Sequence, residues 1–256
     1  MARIGLLHPG AMGAAVGAQL AAAGHEVLWA SAGRSASTAA RAASAGLVDV
    51  VDVAALVSRS ELVVSICPPD AALSVARSIA GFGGPFLDAN AVSPGSAALI
   101  AKAVGSRITD GGIVGPPPRQ AGTTRLYLSG HQAERFADLF AGTAIDARIL
   151  QDGGPYAASA LKMAFAAWSK GSAALLLAAA DAADRLGVGD ALVSEWAVSR
   201  PGLADNLDAA RHNAHEKGWR WAGEMDEIAS MFAAIDLPAG FHTAAADVYR
   251  DPPGTI

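Results

Sequence analysis

The sequence predicts an α/β fold, with a parallel sheet covered by helices in the first half of the chain and helices alone in the second half. Short β-branched runs alternate with alanine-rich stretches as far as Gly153, a pattern typical of a parallel sheet with covering helices. Beyond Gly153 the apolar residues follow helical spacing. Hydrophobic residues make up 52% of the 256 residues and charged residues 17%, which excludes a disordered chain.

The first half contains six candidate strands, each a short aliphatic or β-branched run bounded by turn residues. In order, the predicted strands are Arg3–Leu7, Glu26–Ala30, Leu62–Ile66, Pro85–Asp88, Arg107–Ile113 and Arg125–Ser129. Alanine-rich segments between the strands predict helices, because alanine has the highest helix propensity. The predicted helices are Ala11–Ala23, Ser37–Ala45, Asp70–Ala80, Gly95–Ala103 and Gln132–Ala141.

The second half opens with a helix entrance at Asp152-Gly153-Gly154-Pro155, where proline suits the first helical turn. Only Gly171 interrupts the next segment, which predicts one long apolar helix over Tyr156–Leu186. Further helices are predicted at Leu192–Ser199, Leu203–Ala214, Trp219–Ala234 and Ala239–Tyr249. We therefore predict two domains, an α/β domain over residues 1–153 and an all-helical domain over residues 154–256.

Charge and cysteine content exclude several classes of function. The net charge of −5 has the wrong sign for a protein that binds a phosphate backbone, so we expect no nucleic-acid partner. A single cysteine, Cys67, excludes an internal disulfide, and we predict no metal site and a reducing, cytoplasmic setting. The most apolar stretch, residues 171–180, is shorter than the roughly 20 residues that a membrane span needs. We therefore expect no membrane partner.

The opening strand runs directly into a glycine-containing turn, His8-Pro9-Gly10-Ala11-Met12-Gly13, and then into a helix. Glycines at such a turn let backbone N–H groups of the helix N terminus face a pyrophosphate. His8 takes the place of the first glycine in the usual G-x-G-x-x-G pattern. The arrangement predicts a Rossmann-type dinucleotide-binding domain in which all six turn residues contact the cofactor. A tight turn without a ligand is the alternative.

The residues after the second strand indicate which dinucleotide binds. NAD-binding proteins usually carry Asp or Glu about 20 residues after the glycine turn. Ser31 and Arg34 stand there instead, and a guanidinium is well suited to the 2′-phosphate of NADP. The pattern favours NADP(H) over NAD(H). The alternative is that Arg34 is a solvated loop residue.

Several segments resemble the β-hydroxyacid dehydrogenase family, which includes the 6-phosphogluconate and 3-hydroxyisobutyrate dehydrogenases. The segment Ile4–Gly13 is similar to the N-terminal signature of that family. Cys67-Pro68-Pro69 lies where the family has a strand-end loop over the cofactor, and Asn90 lies in a segment near the nicotinamide. Lys217–Met225 resembles a short helical domain, of poorly defined function, found in a subgroup of phosphogluconate-dehydrogenase-like proteins.

The resemblance implies an activity, an active-site location and a quaternary structure. The activity is NADP-dependent hydride transfer between the nicotinamide and a small hydroxyacid-type substrate. The implied active site lies in the cleft between the two domains. Because family members bury the long helix between paired subunits, the resemblance also implies a homodimer.

On the long helix, one lysine lies in a stripe of small residues that includes Ser159 and Lys162. The residues alone allow two interpretations of this lysine. It is either a catalytic group or a side chain that extends from a buried helix to solvent. The resemblance places the family's catalytic lysine at Lys162. Apolar neighbours favour the neutral amine, so we predict that Lys162 is the general acid–base.

The resemblance also implies residues that bind the substrate. Asp110–Pro116 corresponds to the family's substrate-binding segment, with Val114 in place of a serine that holds the substrate carboxylate. We predict substrate contacts at Asn90, Val114 and Gly115, and at Ser159 on the long helix. Glu224 lies in the motif of the subgroup and is a further candidate, although it could instead belong to a solvated helix face.

Two rival functions stay open on the sequence alone. An imine reductase can be built on the same scaffold, although the retained Lys162 argues against it. A catalytically degenerate NADP-binding sensor or scaffold is the second rival, and the loss of the family serine at Val114 supports it. Turnover of a hydroxyacid or of a cyclic imine with NADPH would discriminate between these functions.

Overall fold

The computed structural model describes residues 1–105 and 108–253. The chain forms two compact units, Met1–Lys162 and Met163–Ile256. All strands of the described residues lie in the first unit, and the second unit is helical. The predicted fold class, a Rossmann-type α/β domain followed by an all-α domain, is therefore confirmed. The division falls later than the predicted boundary after Gly153, because the first turns of the long helix pack on the sheet of the first unit.

The first unit is built on one eight-stranded sheet with the order β3-β2-β1-β4-β5-β6-β7-β8. Its strands are β1 (Arg3–Leu7), β2 (Glu26–Trp29), β3 (Val48–Asp49), β4 (Leu62–Ser65), β5 (Phe86–Asp88), β6 (Thr109–Val114), β7 (Thr124–Gly130) and β8 (Ile145–Ile149). Every neighbouring pair is parallel except β6 and β7, which run antiparallel. Arg107, the predicted start of the fifth strand, lies outside the described residues.

Six helices cover this sheet in the described part of the first unit, before the long helix begins. They are α1 (Ala11–Ala22), α2 (Ala36–Ser44), α3 (Val53–Arg59), α4 (Pro69–Ser78), α5 (Pro94–Val104) and α6 (Ala133–Leu139). Both faces of the central strands β1, β4 and β5 are buried. Ile4 and Leu6 of β1 join one apolar cluster with Val16 of α1, whereas Leu7 joins a second cluster with Val75 of α4. Burial on both faces explains why the strands are continuously apolar rather than alternating.

Three elements of the first unit were not predicted. β3 has only two residues and β8 is half-exposed, so neither produces an apolar run. α3 is short and begins at a cap, where the Asp52 carboxylate accepts a hydrogen bond from the Ala55 N–H at 2.7 Å. These elements depend on local capping and on neighbouring strands, which hydrophobic periodicity does not report.

The second unit consists of most of α7 (Ala157–Arg185), together with α8 (Gly189–Ser199), α9 (Leu203–Ala234) and α10 (Gly240–Arg250). α9 is one continuous helix where two were predicted. The predicted break contains Gly218, but this glycine serves a close contact rather than a helix end. A Cβ atom at position 218 would lie 2.8 Å from the Tyr249 carbonyl oxygen of α10.

Among the described residues, α7 is the one helix long and apolar enough to cross a membrane. The sequence pattern did not indicate this, because Lys170 and Asp181 close the most apolar stretch, residues 171–180, at either end. A core helix of a soluble protein passes the same test, so its length and composition do not by themselves indicate a span. The helix carries large exposed apolar side chains, including Phe165, Trp168 and Leu175.

Candidate active site

The carboxyl ends of four neighbouring strands bring the predicted cofactor residues to one edge of the sheet. β2, β1, β4 and β5 are mutually parallel. His8 follows β1, Ser31 and Arg34 follow β2, Cys67 follows β4, and Asn90 follows β5. In open parallel sheets, ligands bind at this edge where the strand order reverses, which here is between β1 and β4.

The turn between β1 and α1 has the geometry that a pyrophosphate requires. A Cβ atom on Gly13 would lie 2.4 Å from the His8 carbonyl oxygen, so only glycine permits this close turn. A Cβ atom on Gly10 would have no atom within 4 Å among the described residues, so that side of the turn is open. α1 has no side-chain cap and no acidic residue in its first turn. Its N terminus therefore suits an anion, and the residues present fit a dinucleotide.

His8 is held in an unusual backbone conformation beside Arg34. Its φ of 66° lies in the left-handed region that favours glycine. Its Nε2 atom forms a hydrogen bond with Nη1 of Arg34. Burial, reinforced by the positive charge of Arg34, lowers the pKa of His8 to about 4, so the imidazole is neutral near pH 7. Its Nδ1 atom is buried and has no hydrogen-bond partner among the described residues.

Arg34 is half-buried and anchored, so it is not a freely solvated loop residue. Its backbone N–H donates to the Ser31 carbonyl oxygen at 3.0 Å. The Ser31 hydroxyl donates a hydrogen bond to Asp49 at the end of β3, which lowers the pKa of that carboxyl. Asp49 was not among the residues predicted from the sequence. Asp49 lies far outside the usual spacing after the glycine turn, so only the register of β3 beside β2 reveals it.

Asn90 uses its side-chain amide to join the loops after β4 and β5. Its Oδ1 atom accepts from the Cys67 N–H at 2.6 Å, and its Nδ2 atom donates to Ser65 Oγ at 3.1 Å and to Asp88. The side chain is 2% exposed. These bonds fix the strand-end loop that carries Pro68 and Pro69. Contacts of Asn90 with cofactor or substrate stay a prediction.

Cys67 is a half-buried free cysteine whose thiol is protonated near pH 7. Burial, reinforced by the negative charge of Asp88, raises the pKa of the Cys67 thiol to about 12. The thiolate is the reactive form, so the thiol is inert near pH 7. Its backbone N–H donates to Asn90 Oδ1, and contacts of Cys67, Pro68 and Pro69 with the cofactor stay a prediction.

A buried carboxylate, Asp110 of β6, caps the N terminus of α7. Asp110 Oδ2 accepts from the Ser159 N–H at 2.8 Å and from Ser129 Oγ at 3.1 Å, and Oδ1 accepts from Ser159 Oγ at 2.5 Å. Ser129 Oγ in turn accepts from the Ala158 N–H at 3.0 Å. Burial raises the pKa of Asp110, and these hydrogen bonds oppose the rise. Ser159 is 1% exposed and its hydroxyl is bonded to Asp110, so its assignment to substrate binding stays a prediction.

Lys162 lies one turn further along α7, where the helix runs very close to β6. A Cβ atom on Gly112 would lie 2.6 Å from the Ala158 carbonyl oxygen and 3.0 Å from the Lys162 Cβ atom. Ser159 therefore lies beside Asp110 of β6, and Lys162 lies beside Gly112, two residues further along the strand. Over Ala157–Lys162, its part in the first unit, α7 therefore runs along β6 toward the carboxyl edge of the sheet. The side chain of Lys162 is half-buried.

Val114 ends β6 at the same edge of the sheet, and Gly115 follows it. Val114 is 4% exposed. Gly115 has a φ of 118°, and a Cβ atom there would lie 2.2 Å from the Thr123 carbonyl oxygen. The turn therefore requires glycine at position 115. Contacts of either residue with a substrate stay a prediction.

Glu224 of α9 is not on a solvated face, which corrects one of the two interpretations of the sequence. It is 8% exposed and forms an ion pair with Lys170 of α7 within the second unit. The Lys170 carbonyl oxygen also accepts a hydrogen bond from the Tyr249 hydroxyl at 2.7 Å. Burial of Tyr249 and the charge of Glu224 raise the pKa of that hydroxyl. The sequence could not reveal the pair, because its members are 54 residues apart.

Comparison with known protein families gives two matches. Residues 3–87 match the family described as NADP oxidoreductase, coenzyme F420-dependent. Residues 183–251 match a domain of unknown function, DUF1932. The first match contains the glycine turn and Arg34, and the second contains the segment Lys217–Met225. No curated protein matches the chain.

Solved structures share the fold over nearly the whole chain. One is a conserved protein of unknown function that is described as structurally similar to 3-hydroxyacid dehydrogenases. It is 26% identical, with a TM-score of 0.70 and 97% of each chain covered. The resemblance to the β-hydroxyacid dehydrogenase family is confirmed.

Two enzymes of known activity share the fold of this dehydrogenase group. A 3-hydroxyisobutyrate dehydrogenase from Mycobacterium tuberculosis, solved with L-serine, is 19% identical, with a TM-score of 0.70 and coverage of 98% of this chain and 93% of that one. A reductive aminase from Aspergillus terreus, in complex with NADPH and ethyl levulinate, is 16% identical, with a TM-score of 0.60 and the same coverage. At these identities the likeness concerns the fold alone.

Proposed function

We propose that the protein is an NADP-dependent oxidoreductase that transfers hydride between the nicotinamide and a carbon bearing a hydroxyl group in a small hydroxyacid. The placement of Lys162 carries the proposal. Asp110 and Gly112 direct the first turns of α7 toward the sheet edge at which the glycine turn opens. The Lys162 amine, at this position near the start of α7, is suited to proton transfer beside a bound dinucleotide. A screen of hydroxyacids, sugar acids and cyclic imines with NADP(H) tests the proposal.

Each chemical role falls to residues of the first unit. The N terminus of α1 would hold the pyrophosphate, and Arg34 would hold the 2′-phosphate of the adenosine ribose. When bound, the nicotinamide supplies or accepts the hydride. The Lys162 amine takes the hydroxyl proton when the alcohol is oxidised and returns it in the reverse reaction.

The preference for NADP is predicted to depend on Arg34. Replacing it by alanine removes a charge-assisted contact with the 2′-phosphate, which is worth about 1.5–3 kcal/mol. Arg34→Ala is therefore expected to narrow the preference for NADPH over NADH by at least roughly tenfold, measured by fluorescence titration of both cofactors. Arg77→Ala, which removes an exposed arginine of α4, is the matched control. Equal affinity of the unmodified protein for both cofactors would contradict the assignment.

A carbon–nitrogen double bond is the second candidate for the reacting group. Val114 stands where the family has a serine that holds the substrate carboxylate, and its side chain offers no hydrogen bond. A substrate without a carboxylate, such as a cyclic imine, does not need that serine. Turnover of cyclic imines but not of hydroxyacids would favour this function, and binding of NADPH without any turnover would favour a sensor.

We also propose that the protein is a homodimer that buries α7 between its subunits. Trp168 is 78% exposed and Leu175 is 68% exposed on α7, which leaves a large apolar surface in contact with water. Sedimentation at micromolar concentration is expected to give twice the chain mass of 25.7 kDa. Trp168→Glu is expected to shift the protein toward monomer, whereas Leu99→Glu, on an exposed site of α5, leaves it dimeric. A monomeric unmodified protein would refute the proposal.

A further inference from the structure

We propose that His8 is a specificity-determining residue, which holds the Arg34 guanidinium in place for the 2′-phosphate of NADP. The inference rests on the proposed function, because it concerns the same cofactor. His8 is therefore a positioning residue that acts through Arg34, in addition to its place in the turn that faces the pyrophosphate. The backbone, the hydrogen bond and the charge state of His8 each support this role.

The backbone of His8 shows that its side chain is not required by the turn. At a φ of 66°, glycine forms the same turn without the steric cost of a Cβ atom. Histidine is therefore the less favourable residue for the local conformation. Its imidazole must contribute something that glycine cannot, and the side-chain hydrogen bond that it forms among the described residues is the one to Arg34.

The chemistry of the pair defines which atom donates. Arginine has only donors, so Nη1 of Arg34 donates and Nε2 of His8 accepts. The proton of the neutral ring then lies on Nδ1. Only the neutral imidazole can accept this bond, and a pKa of about 4 keeps the ring neutral near pH 7.

The bond to His8 leaves the rest of the guanidinium fork available for a phosphate. Arginine offers five N–H donors, and His8 engages one of them. The side chain is also anchored at its base, because the Arg34 N–H donates to the Ser31 carbonyl oxygen at 3.0 Å. A side chain that is already ordered loses less conformational entropy when a ligand binds. His8 therefore increases the affinity for the cofactor that carries the extra phosphate.

The test is a double-mutant cycle read out by cofactor binding. NADPH and NADH are titrated against the unmodified protein, His8→Gly, Arg34→Ala and the double variant. His8→Gly is expected to weaken NADPH binding about three- to tenfold, the usual effect of one hydrogen bond, and to leave NADH binding within about twofold. In the Arg34→Ala background, His8→Gly is expected to have no further effect on the preference. A purely structural role would change the affinity for both cofactors equally.

Controls separate the backbone effect from the loss of the imidazole. Gln132 also has a positive φ just before a helix, so Gln132→Gly relieves a similar strain and should leave cofactor preference unchanged. If His8→Gly does not fold, His8→Asn replaces the imidazole with a residue that tolerates this conformation, and the same loss of preference is expected. An unchanged or greater preference for NADPH in these His8 variants would overturn the role of His8. Equal binding of both cofactors by the unmodified protein would instead overturn the proposed function.

Discussion

Lys162→Met is expected to lower turnover by about 10²–10⁴, which is the usual contribution of a general acid–base group. Methionine keeps the apolar stem of the half-buried side chain but removes the amine, so the fold and the binding of NADPH should be preserved. Melting temperature and NADPH titration check these two properties. Steady-state rates, measured with the substrate found in the screen, then report the loss of the proton-transfer step alone.

The control for this substitution is Lys102→Met on α5, whose side chain is exposed. Lys170 would be the obvious choice from the sequence, because it lies on the same helix. The structure makes it unsuitable, since its removal would leave Glu224 buried without its ion-pair partner. A folded, NADPH-saturated Lys162→Met protein that retains activity within a few-fold of the unmodified protein would refute the role of Lys162.

Asp110→Ala is expected to lower the free energy of unfolding by about 3 kcal/mol, because two buried donors lose their acceptor and a third loses one of its two acceptors. The two donors are the N–H and hydroxyl groups of Ser159, and the third is the Ser129 hydroxyl, which can still donate to the Pro155 carbonyl oxygen at 3.3 Å. Asp146→Ala is the control, since the exposed Asp146–Arg148 pair on β8 should contribute less than about 1 kcal/mol. Urea unfolding measures both, and a loss for Asp110→Ala no larger than for Asp146→Ala would contradict the role of Asp110.

The pH dependence of stability provides an independent check on Asp110. Burial raises the pKa of Asp110 above its usual value of 3.8, so the folded state favours the protonated carboxyl. Its contribution to stability is therefore fully present below pH 3.8 and decreases as the pH rises through the folded-state pKa. We expect the stability difference between the unmodified protein and Asp110→Asn to fall over this range. A difference that increases with pH would contradict the raised pKa.

Features encoded by neighbouring residues could be predicted from the sequence. The glycine turn follows β1 directly and precedes α1, so its place at the sheet edge follows from the order of elements. The long helix and the position of Lys162 near its start follow from the absence of helix-breaking residues. In each case the observed element begins within a few residues of the predicted one.

Features that depend on long-range contacts could not be predicted. Nothing near Asp110 indicates that its carboxylate caps a helix that begins more than 40 residues later. Glycine is typical of a helix end, so Gly218 indicated a break between two helices. Only the close contact with Tyr249 explains why this glycine lies inside α9. The bond between His8 and Arg34 likewise depends on how two parallel strands align, which sequence spacing does not specify.

Transfer of deuterium from labelled NADPH to product is the most direct test of the central claim, that this protein moves hydride between NADP and a small substrate. The protein is incubated with NADPH that carries deuterium at both C4 positions of the nicotinamide, so that transfer from either face delivers the label, and with a panel of 3-oxoacids, sugar-acid ketones and cyclic imines. Mass spectrometry is expected to show one product that carries a single deuterium, and its yield should fall at least about a hundredfold in Lys162→Met. The account would be contradicted if the protein binds NADPH and no member of the panel gains deuterium.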